Sequence, residues 1–282
     1  MKINHKFLEL FYKYLYFKKN SHLSSNLRVL MYHDIPPNQE QQFKNQLIKL
    51  KKNWNFISPS QFEKFINKEI ELKGNNLLLT FDDGFISSRI VAEKFLTELN
   101  LKAIFFVMSD FLDINNINSS REFISKNIIP GSNRNNLPNH LINMQWEDIK
   151  FLKKNGHTIG AHTKSHKKLS NIIDNNELND EICINADIIS KKLDNKIEHF
   201  AFSFGDVLSF SQKAYNVAAN KFQYIHSGIR GNNINIKPTD IISRDEINSS
   251  YSSTLTESFL CGLIDFKYKK DLKTLREWSK NY

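Results

Sequence analysis

The chain has 282 residues, enough to bury a sizeable core and within the range of one catalytic domain, so no second domain is required. Its formal net charge of +9 and pI of about 9.3 favour anionic partners, yet the lysines are dispersed and no nucleic-acid motif appears, which argues against a nucleic-acid partner. The two cysteines, Cys183 and Cys261, form neither a disulfide framework nor a zinc pair and fit a reducing compartment.

Residues 1–25 read as an amphipathic segment. Its run from Phe7 to Lys19 is aromatic and basic, but lysines and Glu9 interrupt it before a signal-peptide core or a membrane span can form. Two readings stand for it: an interfacial helix with its rings at the headgroup level and its lysines against anionic lipid, or a helix packed on the rest of the protein. A cytoplasmic location is expected, with peripheral contact at the inner membrane face under the first reading. From residue 26 to 282 the pattern is that of the catalytic domain. Short apolar runs at 28–32, 77–81, 103–107, 158–161 and 199–202 alternate with helical periodicity at 39–53, 87–99, 145–154, 174–193 and 211–221. Such alternation predicts a largely parallel sheet wrapped by helices. Between 110 and 143 the chain is asparagine-rich, holds Pro130, Gly131 and Pro138, and has little periodicity. It reads as a surface insertion, either a lid bordering the site or a disordered linker. Cys183 lies in a helical apolar pattern and reads as core. His157 reads as structural, His199 as partly exposed, and His140 and His226 as lacking an identifiable partner.

The chemistry concentrates in two motifs. The run Leu77-Leu78-Leu79-Thr80-Phe81-Asp82-Asp83-Gly84 is a buried strand that ends on two carboxylates, with Gly84 free to turn. Ligands of α/β folds collect at the carboxyl ends of strands, and alternation relaxes there enough for both carboxylates to enter one pocket. Far downstream, His162 and His166 stand four residues apart, on one face of a helix or tight helical turn, where both imidazoles reach one ion. Two imidazoles and one carboxylate leave a coordination position open, and the second carboxylate is then free to take a proton from water. Taken singly, the motifs also fit a solvated helix face and an Asp-Gly turn.

Their joint context is more specific. Val29-Leu30-Met31-Tyr32-His33-Asp34-Ile35, Thr80-Phe81-Asp82-Asp83-Gly84 and Ala103-Ile104-Phe105-Phe106-Val107 are followed by Met144 to Ile149 and by Asn155 to His166. In order and spacing these segments, over residues 28–245, resemble the polysaccharide deacetylase family, the NodB-homology domain of carbohydrate esterase family 4. The likeness is strongest to the branch with a Tyr-His-Asp segment, which includes deacetylases of poly-N-acetylglucosamine. The resemblance implies an α/β fold, a distorted incomplete (β/α) barrel with its site at the strand carboxyl ends. It implies that Asp83, His162 and His166 hold a divalent metal, usually zinc, and that Asp82 is the general base. His33, which on its own reads as a core histidine, becomes the general acid for the leaving amine. The backbone N–H of Phe204 would serve the oxyanion, and Arg244 would support the site from a late strand. The implied reaction is removal of N-acetyl groups, with O-acetyl as a close variant, from an amino-sugar glycan in surface polysaccharide biosynthesis or modification. The implied partner is an N-acetylated glycan or a lipid-linked oligosaccharide.

One segment departs from the family pattern. In Phe200-Ala201-Phe202-Ser203-Phe204-Gly205, Ser203 stands where proline is usual and Phe204 where tyrosine is common. Ala201 stands where many relatives place an arginine that orients the base, although the branch resembled here often has a small residue. Loss of the proline loosens a turn that shapes one wall. The competing expectation is therefore a catalytically weak glycan-binding or scaffolding protein that keeps the fold.

Overall fold

The computed structural model describes residues 25–280; the aromatic, basic run at 7–19 lies outside the described residues. The strands are β1 (Asn26–Tyr32), β2 (Asn55–Phe56), β3 (Asn75–Phe81), β4 (Ala103–Val107), β5 (Thr158–Ala161), β6 (His199–Ala201), β7 (Tyr224–His226) and β8 (Asp245–Glu246). The helices are α1 (Glu40–Leu50), α2 (Pro59–Ile66), α3 (Ile86–Val91), α4 (Ser109–Leu112), α5 (Ile117–Phe123), α6 (Trp146–Lys154), α7 (Asn175–Asn179), α8 (Asn185–Leu193), α9 (Gln212–Ala219), α10 (Ser253–Leu260) and α11 (Lys269–Ser279). The strands pair in the order β7-β6-β5-β4-β3-β1-β8, every pair is parallel, and β2 pairs with the first half of β3. The result is a curled sheet with helices outside it, a distorted and incomplete (β/α) barrel. The five strands expected from sequence all form with nearly the expected bounds. β2 and β8, of two residues each, are too short to leave a pattern; β7, of three, forms in addition.

Parallel strands covered on both faces need apolar residues at successive positions, and β1, β3 and β4 supply them. Leu27, Val29, Leu78, Ile104 and Phe106 fill the barrel interior together with Ala201 and Tyr224, and α2 closes it with Phe62 and Ile66. Leu30, Leu77, Leu79, Phe81 and Phe105 point the other way, into the helix layer. The helix start at α2 is fixed by a capping box, in which Ser58 accepts from the Gln61 amide while the Gln61 side chain accepts from the Ser58 amide.

Three helices contain a wide, π-type turn, at Ala92–Leu96, Ile124–Ile128 and Asp180–Ile184. The third joins α7 to α8, so the helix expected over 174–193 is one run with a bulge. Residues 110–143 are folded: Ile124, in the wide turn after α5, clusters with Leu137 and Leu141 further along and with Phe85, Met108 and Phe111. Asn143 ties the end of this excursion to its start by donating to the Phe111 and Ile114 carbonyls at 2.8 and 2.9 Å. His199, expected to be partly exposed, is buried. Cys183 is half-buried at the edge of the core rather than inside it.

Candidate metal and active site

Strand alternation sets up the carboxylates. Leu78 and Thr80 precede Asp82 at two-residue steps, so Asp82 continues the inner face of β3 and Asp83 should point outward. A φ of +70° at Asp83, followed by +75° at Gly84, reverses that direction, and both carboxylates reach one cleft of about 600 Å³ at the carboxyl ends of the strands. A cavity of similar size lies between residues 231–243 and α11, against the other end of β1, and contains none of the candidate ligands.

His162 follows β5, and His166 lies in the loop beyond it, with φ of +59° at Thr163 and +62° at His166. The expected helix or helical turn is absent: left-handed residues bring the two rings together instead. Each ring is oriented from behind. His162 Nδ1 is 2.9 Å from the Ala201 carbonyl, and His166 Nδ1 is 2.8 Å from the Asn127 carbonyl. A carbonyl only accepts, so both Nδ1 atoms carry hydrogen and both Nε2 atoms of the neutral rings present lone pairs. Each Nε2 lies 3.4 Å from Asp83 Oδ1, a buried oxygen with no hydrogen-bond partner. Three acceptors converging on one buried point require a cation. The ligand atoms of Asp83, His162 and His166 lie within 4.8 Å of one another, and this donor set fits a divalent metal. Burial opposes charge on Asp83, but the two histidines outweigh it and hold the carboxyl well below its ordinary range. Burial likewise works against a charged His166, and Asp83 overrides it and raises the imidazolium's pKa; without a metal a proton takes its place.

Asp82 has a different partner. Arg244 donates from Nη1 to Oδ1 at 2.6 Å and from Nη2 to Oδ2 at 2.7 Å, a fork on a fork with both groups buried. Arg244 is itself fixed by donation from Nε to the Ser227 carbonyl at 2.8 Å and by the face of Phe106, 5.0 Å away. Burial disfavours the Asp82 carboxylate, yet Arg244 more than offsets it and the pKa is lowered. The position of Ala201 thus needs no arginine, since residue 244 reaches the same carboxylate from the segment that leads into β8. Asp82 Oδ2 is 3.9 Å from His162 Nε2, so this oxygen faces the candidate metal point.

His33, half-buried, stands on the cleft wall where β1 ends, and its charge favours ionisation of both Asp82 and Asp83. Phe204 has φ of +62°, its ring lies 4.5 Å from that of His166 and is 42% exposed at the cleft mouth. Its backbone N–H donates to no acceptor among the described residues. Ser203, in place of proline, is buried and shares a 2.8 Å hydrogen bond with Thr163 Oγ1, which ties this turn to the histidine loop. Gly205 is needed because a Cβ there would come within 2.5 Å of the Gly228 nitrogen, at a φ of +73°.

Several groups that build the site were not singled out from sequence. Glu181, buried in the wide turn between α7 and α8, accepts from the Lys164 and Ser165 amides at 3.1 and 2.9 Å and from Ser165 Oγ at 2.5 Å. The signal was present: Leu178, Ile182 and Ile189 form a helical apolar stripe, and Glu181 and Asn185 interrupt its buried face. The Ala201 and Asn127 carbonyls have no sequence signature. His140, left without a partner, faces Asp34, and His226 faces His199 at 3.0 Å.

A sequence profile of the polysaccharide deacetylase family matches residues 69–224. That span includes Asp82, Asp83, His162, His166 and Phe204 and leaves His33 and Arg244 outside. Among solved structures, IcaB from Ammonifex degensii superposes with a TM-score of 0.64 at 18% identity, over 84% of this chain and 97% of its own. The de-N-acetylase from Aggregatibacter actinomycetemcomitans gives 0.63 at 18% identity, over 83% and 99%. The Streptococcus pyogenes deacetylase PplD, solved in complex with acetate, gives 0.62 at 18% identity, over 83% and 97%. At this identity the likeness establishes the fold. A comparison with curated proteins returns no match.

Proposed function

The chain belongs to the polysaccharide deacetylase family, and from that premise we propose that it hydrolyses the N-acetyl group of an amino-sugar residue in a glycan, with a divalent metal, during biosynthesis or modification of a surface polysaccharide. The observation that carries the reading is the unpartnered, buried Asp83 Oδ1 facing two imidazole nitrogens, with a second carboxylate beside it and His33 on the cleft wall at the end of the neighbouring strand. Asp83, His162 and His166 would hold the ion, zinc by resemblance. Bound there, such an ion supplies Lewis-acid polarisation of water and of the acetamide carbonyl.

The chain's own residues do the rest. Asp82 takes a proton from the attacking water at Oδ2, the oxygen turned toward the histidines; its lowered pKa keeps it ionised and ready at neutral pH. The free Phe204 N–H donates to the carbonyl oxygen as negative charge develops on it. His33 in its imidazolium form gives a proton to the departing nitrogen. An amine anion cannot leave unprotonated whereas an alkoxide can, so an acid on that wall supports the amide as substrate over the ester. Water is consumed, and acetate and a free amine are released. The formal charge of +9 suits an acidic polymer or a glycan carried on an anionic lipid, and co-sedimentation with anionic vesicles separates the two.

The test is acetate release from N-acetylglucosamine oligomers by chelator-stripped protein, with and without added Zn²⁺. Turnover should depend on the metal, vanish in Asp83→Ala with loss of bound metal, and fall by about three orders of magnitude in Asp82→Asn with the metal retained. Full activity in Asp82→Asn would remove that residue as the base. No release by the metal-loaded wild type from any N-acetylated oligomer would overturn the reading.

A further inference from the structure

Resting on the deacetylase reading, we propose that His140 is a positioning residue: it latches the 110–143 excursion onto Asp34, and so fixes the short loop that carries His33. Asp34 is held at both oxygens. Oδ1 accepts from Ser87 Oγ at 2.6 Å, and Oδ2 lies 2.9 Å from His140 Nε2. Ser87 Oγ in turn accepts from the Ile35 amide at 3.1 Å. On the other side of His33, the Tyr32 carbonyl accepts from the Asp82 amide at 2.9 Å. His33 therefore sits on a span pinned at both ends, once to the β3 exit and once to a carboxylate shared between α3 and the excursion.

The excursion is led to this point by its backbone. Ile86 donates to the Ile142 carbonyl at 3.0 Å and Met144 to that of Gly84 at 2.8 Å, so residues 142–144 run alongside the turn that follows the two aspartates. Pro138 and Leu141, either side of His140, line the cleft. The Asp34 and His140 side chains are 21% and 25% exposed, shielded enough for the contact to hold and open enough for it to release. A carboxylate engaged at both oxygens cannot rotate without breaking one contact, and without His140 the excursion loses its side-chain hold on the loop of His33.

The experiment uses the full chain loaded with zinc and N-acetylglucosamine oligomers, together with amide hydrogen exchange over 138–144. His140→Ala should lower kcat by about tenfold with KM changed less than about twofold, since positioning of an acid acts on the transition state. His140→Gln, whose amide nitrogen reaches about as far as imidazole Nε2, should restore most of the loss. In a His33→Ala background the His140→Ala change should have no further effect, and exchange over 138–144 should rise by about tenfold in His140→Ala. An equal kcat loss with and without His33, a change in KM alone, or wild-type kcat would overturn the proposal. If the wild type releases no acetate, the deacetylase reading fails by itself; the exchange arm still decides the latch, which unaltered exchange in His140→Ala would sink.

Discussion

Arg244 and Asp82 form an ion pair deep in the protein, and each is tolerable there only because of the other. Removing two charges from water costs several kcal/mol per ion, and two parallel hydrogen bonds at 2.6 and 2.7 Å offset that cost. Arg244→Met would leave a buried carboxylate without a counter-charge. Its pKa should then move from below to above the ordinary value, because burial is the largest influence on it and opposes ionisation. The expected result is a loss of about 3–5 kcal/mol in denaturant unfolding, with the acid limb of the pH–activity profile shifted upward. An unmoved acid limb would disconnect Arg244 from the proposed base. The two aspartates were readable because they are neighbours at the end of one apolar run. The Asp82–Arg244 pair joins residues 162 apart, and no spacing rule spans that distance; a family resemblance pointed to residue 244, but not to the carboxylate it grips.

At the scale of elements, the loop from His162 to His166 has no helix to hold it, and neighbouring segments supply its geometry. Two of the three wide helical turns take part: one releases the Asn127 carbonyl to His166, and the other delivers Glu181 to the backbone of Lys164 and Ser165. Asn127 lies in the last turn of its helix, where carbonyls have no intrahelical partner and can accept from outside. Glu181→Gln replaces one acceptor oxygen by a donor facing N–H and O–H groups, so the loop should loosen. Metal affinity should fall by about tenfold, read by competition with a chromophoric chelator, while the far-UV circular dichroism stays unchanged. Retained affinity would show that the loop is held without Glu181. The helices were legible from their periodicity, whereas their bulges were not, because one extra residue barely disturbs a stripe of apolar positions. The segment at 110–143 hid its structure for a related reason: its contacts are small apolar clusters and asparagine side chains on carbonyls, which leave no period.

The molecule as a whole is closed by a seam. β7 and β8 are not paired; Ile242 bridges to His226 on one side, and three residues later Asp245 pairs with Leu30 on the other. Arg28 locks the seam, donating to Asp245 at 2.7 and 2.5 Å and to Asp265 at 2.7 and 3.1 Å, while Arg230 reaches Asp245 at 3.3 Å and the Glu246 carbonyl. β8, of two residues, and the single bridge at Ile242 are set by tertiary contact, which is why the sequence pattern showed five strands and hid the closure. Stability of the closed body should depend on pH through its buried histidines. Burial, aided by Lys102, lowers the His157 pKa from 6.5 to about 4. Between those values the unfolded chain binds a proton that the folded one refuses, so stability is complete above pH 6.5 and is lost as pH falls toward 4, by about 3 kcal/mol. His226, held well below its ordinary value by burial and by His199 and Arg244, acts with the same sign. Thermal midpoints should fall on acidification, and less steeply in His157→Asn; parallel curves would remove His157 as a contributor. Because the seam carries Arg244, the order of synthesis matters. A nascent chain that has passed Phe204 already contains all three candidate ligands, yet Asp82, the proposed base, remains ungripped until the seam is translated and inserted. Under the proposed role of Asp82, competence for hydrolysis arrives late on the ribosome, only after residue 244 has been made and joined to the sheet.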